Sequence, residues 1–520
     1  MLARDVWEEV PKTDEMKTIG HRWVFDIKQN ADRSVEKFKA RLVARGDRQR
    51  PGVDCTKTYA PTASLMSLRL VLVYAAVLRW PLASFDVSGA YLYSPVKETV
   101  FIEPHLKGKA LRLKKALYGM KQAGRCWWIF LSGILTRMGF TAMEVDQSLY
   151  IFRSGETFVA IWIHVDDGLI TSNSQVAIDD FKQHLCTEVE IKWHDTIAQI
   201  VGLECAFGEG EVAIAQRRLT NSVLEAYPRR IIKTDSPLPT LQTNSSNPDT
   251  AIVDETLFRS VIGSLAYLVS GSRPDLAFAV NYLARHSLSP TAHHWVVLDH
   301  LMGYLLKTRS YRLVLQPEGV SLNLWSDAGW GDLERSQTGF MLKLGNAPIL
   351  WASKRQGVVA LSTCAAEYVA LSDSTQHLVQ AINQLGQLDE GFNKEIFCDN
   401  QAAVQVSIDN QSRKQMQYLD HAFFFVNDTI RKHNIKIMWV PTKKMQADAL
   451  TKRLSGPALQ HSLAFFCLVV LVSRSPNPLK FFSSPLTIGG DGLGTDWRAS
   501  FATFGYLSVG NANPTSNHWR

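Results

Sequence analysis

The chain is 520 residues long, 46% hydrophobic and 20% charged, with a formal net charge of +7. Such a composition excludes a mainly disordered or fibrous chain and suffices for roughly two to four domains with sizeable cores. Seven scattered cysteines with no Cys-x-x-Cys pair argue against cysteine-held zinc, and no apolar run is long enough to cross a bilayer, so a soluble protein of a reducing, intracellular compartment is expected.

In chain order, His21–Gln29 and Lys39–Gly46 predict two strands joined by the polar turn at 30–34. The surplus of cations collects in two stretches. Lys28 to Arg50 holds eight Lys/Arg against three acids, and Lys107 to Arg125 holds seven against none. Clustered cations interleaved with Phe38, Tyr118, Trp127 and Trp128 read either as a phosphate-neutralising surface or as two solvated basic faces. Ser64 to Trp80 repeats apolar residues at helical spacing until Pro81 stops it, and the short apolar run Leu82–Val87 predicts a buried strand ending in Asp86. Glu156–Val165 and Gly168–Asn173 predict a hairpin with Asp166 and Asp167 at its tip. The Pro/Ser/Asn-rich stretch 236–247 reads as a loop or hinge. Three helices separated by Pro274 and Pro290 are expected between Phe258 and Thr308. Strands at 321–330, 336–345 and 347–356, a long helix at 365–385 and a strand at 395–400 then predict a second unit of mixed helix and strand. Beyond Leu454 no clear periodicity is read, and a disordered tail is expected.

Two sets of carboxylates carry candidate chemistry. A strand end and a hairpin tip side by side would gather Asp86, Asp166 and Asp167 within reach of two Mg²⁺ ions, hard cations that favour oxygen ligands. The plainer alternative is a hydrophilic turn pair. Asp327, Glu367, Asp399 and Asp448 fall on four elements of the later unit, where convergence would repel unless metal is present; singly, each reads as a surface acid.

The phrases SFDVSGAYL, ALYGMKQAGRCWW and IHVDDGLIT resemble, in order, motifs A, B and C of the reverse transcriptases of copia-type (Ty1/copia, Pseudoviridae) retrotransposons. KARLVARGDRQRPGVDCTKTYAP resembles the fingers segment, DQSLYIF the approach to motif C and IVGLECAFGEGEVAIAQRRL the region after it, so this similarity covers Trp7 to Pro239. LWSDAGWGD, LSTCAAEYVAL, FCDNQAAVQV and QADALTK resemble the ribonuclease H domain of the same elements, behind a connecting segment that includes RPDLAFAVNYLARHSL.

The resemblance implies an α+β fold. A right-hand polymerase of fingers and palm would occupy 1–240, a helical thumb or connection 241–318 and an α/β ribonuclease H-like domain 319–454, with a non-family tail at 455–520. It implies an RNA-directed DNA polymerase with ribonuclease H activity, and a decayed or co-opted nucleic-acid-binding fragment is the alternative. Asp86, Asp166 and Asp167, and separately Asp327, Glu367, Asp399 and Asp448, would each hold two Mg²⁺ ions, with Mn²⁺ as a substitute. Tyr91 would wall off a ribose 2′-hydroxyl, Gly119 would admit nucleotide or template, and Lys39, Arg41, Lys121 and Gln122 would contact phosphates or template.

The implied partners are an RNA template, a DNA primer, an RNA–DNA hybrid and deoxynucleoside triphosphates, with no membrane. A cytoplasmic virus-like particle is the implied location and the nucleus its alternative; the oligomeric state stays open. Capsid, protease and integrase motifs are missing, which reads as a truncated copy, a gene-prediction fragment or a processed unit.

The sequence departs from the family at four places. His164 and Gly168 flank the acid pair where the family has Tyr or a similar residue and an apolar one, and the glycine is expected to loosen the hairpin. Tyr418 and Phe424 stand where the family has histidines, with His421 out of register, so impaired nuclease turnover is expected.

Overall fold

The computed structural model describes residues 1, 4–29, 34–103, 108–239, 254–319, 321–330, 335–388, 391–408, 420–454 and 456–470. Its centre is a six-stranded sheet in the spatial order 191–194, 82–87, 167–172, 157–164, 149–154, 141–142, whose first five strands are mutually antiparallel to their neighbours. Strand Leu82–Val87 is buried on both faces because alternate residues meet different partners: Leu82 joins the core around helix Leu65–Leu78, while Ala83, Phe85 and Val87 join the core under helices Ala123–Arg137 and Gln175–Glu188. Only Asp86 emerges.

Helix Leu65–Leu78 starts where the Ser64 side chain accepts the Ser67 N–H at 3.0 Å, and it ends at Arg79 in the left-handed conformation, two residues before Pro81. It is buried nearly all round, from Met66 to Ala76. A helix that is apolar on every side needs partners on every side. One side lies on the six-stranded sheet and another on the later domain, so a single hydrophobic core runs from Ala63 through Leu468.

The N-terminal hairpin pairs His21–Gln29 with Val35–Ala44, a longer second strand than the sequence predicts; residues 30–33 of its turn lie outside the described residues. It forms a two-stranded sheet of its own. One face carries Lys37, Lys39 and Arg41; the other exposes Trp23, Phe25, Ile27 and Phe38.

Three helices at 255–271, 277–284 and 292–307 occupy the expected helical segment and lead into strand Tyr311–Leu315. That strand completes a five-stranded sheet with 199–200, 203–208, 211–215 and 468–470, so stretches far apart in sequence share one sheet. The expectation of a disordered tail from 455 fails for its first part. Gly456–Phe465 is a helix and Leu468–Val470 pairs with Tyr311–Leu313. Leu459, Leu463, Phe466 and Leu468 are buried there, so this stretch belongs to the core. Residues 471–520 lie outside the described residues.

The C-terminal unit is a five-stranded sheet ordered 347–355, 337–344, 321–329, 393–398, 436–439. The first three strands are antiparallel and the last two continue parallel. Helix Thr363–Leu388 makes the crossover, and strand Gln337–Leu344 is buried at every residue.

Candidate functional site

Two carboxylate groups assemble at the ends of the two main sheets. In the first, His164 pairs with Asp167 across a connection of two residues, Val165 and Asp166. Val165 takes φ +58°, a conformation that a β-branched residue rarely adopts, as the first central position of such a tight turn demands. Two hydrogen bonds hold it there. The Trp127 indole N–H donates to the Val165 carbonyl at 2.6 Å, and the Val87 N–H donates to the Asp166 carbonyl at 2.9 Å.

The return strand places Asp167 directly opposite Asp86. Asp86 is exposed, while Asp166 and Asp167 are half-buried. Burial first, then the charges of Asp166 and Asp86, pushes the Asp167 carboxyl up to about 6. Burial, with Asp86 adding, also raises Asp166, opposed by backbone hydrogen bonding and by the charges of Lys39 and His164. Acids held together at that mutual cost, with oxygen donors only, suit a hard divalent cation.

The other residues singled out from the sequence divide into those that face this cup and those that do not. Lys39 faces it, since its charge acts on Asp166, and Arg41 acts on Tyr118 beside it. Tyr91, on the turn Ala90–Tyr93, packs its ring 4.9 Å from that of Tyr118. Both phenols are pushed up, by burial first and then by Asp166. Tyr118 was not among the expected site residues; in sequence it is one aromatic inside a basic stretch.

Gly119, at the surface, and the buried Gln122 also have structural tasks. Gly119 takes φ +85°, and any side chain on it would strike the Ala44 carbonyl and Val43, because the Ala44 N–H donates to the Tyr118 carbonyl at 2.7 Å. Gln122 is 1% exposed; its amide donates to the Asp54 carbonyl at 2.8 Å and accepts from Gln49 at 3.0 Å. Lys121 is also engaged, its ammonium donating to the Gln49 carbonyl at 3.1 Å. Together these contacts lock loop 46–55 to the start of helix Ala123–Arg137.

Gly168 does not loosen the hairpin. It lies opposite Phe85, and a Cβ there would fall inside the Phe85 ring. His164 stacks on Trp162, two residues earlier on the same strand, with ring planes 11° apart.

The second group is tighter. Asp327 lies on strand Ser321–Gly329 with no exposed surface, and the parallel register that pairs Trp325 with Phe397 brings Asp327 level with Asp399, just past the end of the neighbouring strand. Asp448 opens the turn Asp448–Leu450, and Glu367 sits on the second turn of helix Thr363–Leu388.

Among the described residues, Asp327, Asp399 and Asp448 bring ligand atoms within 4.8 Å of one another, and so do Glu367, Cys398 and Asp399. The Asp86 group is not gathered that closely. Burial, with neighbouring acids adding, raises Asp327 and Glu367 well above the carboxylate range, and Glu367 Oε2, on a side chain almost wholly buried, has no hydrogen-bond partner. An orphaned buried carboxylate oxygen beside three more acids is the donor set a divalent cation would satisfy. Cys398 and Lys452 enter this group unannounced by the sequence reading; the only local signal for Lys452 is its spacing of four from Asp448.

Of the expected nuclease departures, Tyr418 lies outside the described residues, and Phe424 is exposed on helix Asp420–Lys432. No described helix is long and apolar enough to cross a membrane.

Residues 4–231 match the family described as reverse transcriptase (RNA-dependent DNA polymerase). The Retrovirus-related Pol polyprotein from transposon RE2 of Arabidopsis thaliana is 32% identical over 88% of this chain, and the Transposon Ty1-DR5 Gag-Pol polyprotein of Saccharomyces cerevisiae is 26% identical over 87% of it. The chain spans only 33% and 27% of these relatives' own lengths. Among solved structures, a foamy viral protease-reverse transcriptase in complex with RNA/DNA hybrid aligns over 84% of this chain and 51% of its own, at 10% identity and a TM-score of 0.44.

Proposed function

We propose that this chain, whose residues 4–231 match the reverse transcriptase family and which is similar over most of its length to copia-type retrotransposon Pol polyproteins, copies RNA into DNA at the Asp86–Asp166–Asp167 cup and cuts the RNA of the resulting hybrid at the Asp327 cluster. The observation that carries this reading is the cross-strand pairing of Asp86 with Asp167, with Asp166 on the clamped turn beside them.

Divalent magnesium, or manganese in its place, would be held by these two sets of acids and would supply activation of the primer 3′-hydroxyl at one and of water at the other, with charge neutralisation at both. The protein's own part is positional. Asp86, Asp166 and Asp167 hold charge side by side at the end of the central sheet, and Trp127 fixes the turn that presents Asp166. Lys39 and Arg41 reach toward the cup from the N-terminal hairpin, which suits the triphosphate of an incoming nucleotide. Tyr91, braced by Tyr118, forms an aromatic wall that a ribose 2′-hydroxyl would strike, favouring deoxynucleotides. In the second site, buried Asp327 and Glu367 fix the acids from strand and helix, and recognition would fall on hybrid shape and the 2′-hydroxyl.

The substrates are then an RNA template, a DNA primer, the RNA–DNA hybrid and deoxynucleoside triphosphates, and the setting is the cytoplasmic virus-like particle of an element.

Primer extension on an RNA template with Mg²⁺ tests the polymerase. The parent should extend and Asp166→Asn should fall to background while still cutting a preformed hybrid. Asp327→Asn should show the reverse. Equal extension by parent and Asp166→Asn would remove the polymerase assignment.

A further inference from the structure

Lys452 reaches into the second acid cluster. Its ammonium lies 2.8 Å from Asp448 Oδ1 and 3.3 Å from Asp327 Oδ1. The other Asp327 oxygen accepts the Thr451 hydroxyl, so both oxygens of a carboxylate with no exposed surface are engaged. Backbone geometry keeps the lysine there: its N–H donates to the Asp448 carbonyl at 2.9 Å, and Asp448 stands four residues earlier on the same turn.

The opposite flank of the cluster is built differently. There Glu367, Cys398 and Asp399 converge; among the described residues Glu367 Oε2 is buried without a hydrogen-bond partner, and the ion pairs of Lys452 run to Asp327 and Asp448. One side of the centre thus has an oxygen awaiting a cation, and the other already has a cation.

We propose that Lys452 is a resident counter-cation that occupies the Asp327–Asp448 side of the substrate-free nuclease site, so that a divalent ion enters there only by displacing the ammonium. The proposal rests on reading the four acids as a metal-binding nuclease centre. An ammonium that bonds these oxygens at 2.8 and 3.3 Å leaves no room on them for an ion that binds oxygen at about 2.0–2.1 Å. Like charges so close also repel strongly in a partly buried site.

A divalent ion therefore enters first on the Glu367–Asp399 side, and the Asp327–Asp448 side fills when a bound nucleic-acid phosphate offers the flexible lysine another anion. Lysine suits this because it is a point charge on a mobile stem, unlike a guanidinium fixed by a planar fork. The consequence is a site that completes its metal set only with substrate present.

Mn²⁺ titration of the full chain, with free Mn²⁺ read by electron paramagnetic resonance, tests this without hybrid and without turnover. Asp166→Asn with Asp167→Asn serves as the background, so that binding at the first cup is suppressed. Lys452→Met should tighten the weaker Mn²⁺ step by on the order of tenfold or more, since it removes one nearby positive charge. Lys452→Gln should do the same with a polar side chain of similar length, which covers the case in which the methionine variant misfolds. Lys452→Arg, which keeps the charge, should bind as the background does. Unchanged or weaker Mn²⁺ binding in folded Lys452→Met or Lys452→Gln would overturn the proposal. Asp327→Asn separates the two ideas: if it leaves Mn²⁺ binding untouched, the nuclease-centre reading itself fails.

Discussion

Phe85 and Gly168 show how two residues on neighbouring strands make sense only as a pair. Phe85 is buried, with its ring centroid 5.0 Å from Trp193 and 6.3 Å from Phe181, and the space it fills opposite is the space a side chain at 168 would need. The glycine backbone is extended there, so its value is room and not conformational freedom. Gly168→Val should therefore destabilise the protein by about 1–3 kcal/mol through overpacking, and it should shift Asp167 next to it. Phe85→Leu alone should cost about 1–2 kcal/mol for lost ring contacts. The double variant should recover part of the sum, a coupling visible in a double-mutant cycle by denaturant unfolding. Strict additivity would mean the two residues do not compete for one space.

At the scale of the element, the N-terminal hairpin shows what a sequence does and does not reveal. Its strands were legible from alternation and the polar turn between them, and the acids of both sites were legible because each stands in a run of consecutive residues with its own pattern. Which way the hairpin faces was not. That orientation is set where Gly46 and Gly119 allow two backbone segments to cross closely, a contact between residues far apart in sequence that turns Lys39 and Arg41 toward the acid cup. For the same reason the part that Gly119 and Gln122 play in fixing that crossing does not show along the chain, where they read as parts of a nucleotide-binding phrase. Cys398, Tyr118 and Lys452 were missed because only folding places them against acids. If the hairpin presents its cations to an incoming triphosphate, Lys39→Ala should raise the KM for deoxynucleotides on the order of tenfold with a smaller change in kcat, since a charge contact made before and during the step acts mainly as uniform binding. Steady-state extension at varied nucleotide concentration checks this. A fall in kcat alone, at unchanged KM, would place Lys39 outside the nucleotide contact.

Across the whole molecule, one arginine joins helix Leu65–Leu78 to the sheet of the C-terminal unit. Arg69 sits mid-helix in Leu65–Leu78 and is 1% exposed, with no carboxylate partner among the described residues. Its guanidinium donates to the Ser270 carbonyl, to the Gly271 carbonyl at 2.7 Å and to the Ile349 carbonyl at 3.0 Å, and it lies 4.1 Å from the centre of the Trp351 ring. Ser270 and Gly271 end the helix Glu255–Gly271, whose last carbonyls have no partner within the helix's own ladder and carry the negative end of the helix dipole. A delocalised, weakly hydrated cation is the group best able to cap them inside a core. Burial still pulls the arginine down to about 9, so it stays charged at neutral pH but at a cost that the carbonyls and the ring must offset. Two nearby bonds brace the same junction: Gln384 donates to the Ser67 hydroxyl at 2.8 Å, and the Trp351 indole donates to the Val269 carbonyl at 2.8 Å. Arg69→Met keeps the volume but leaves three carbonyls, two of them in buried bonds, without this donor, so stability should fall by about 2–4 kcal/mol. Because the lost bonds link the two halves, the single unfolding transition expected of a shared core should split into two in calorimetry, and Arg69→Lys, with fewer donors and no fork, should fall between. The distance between the primer end and the RNA cut should also broaden, since that distance is set by how rigidly one acid cluster is carried relative to the other. One transition at an unchanged midpoint, with cuts as narrow as the parent's, would show that the core alone holds the two halves in place and that Arg69 is a passenger.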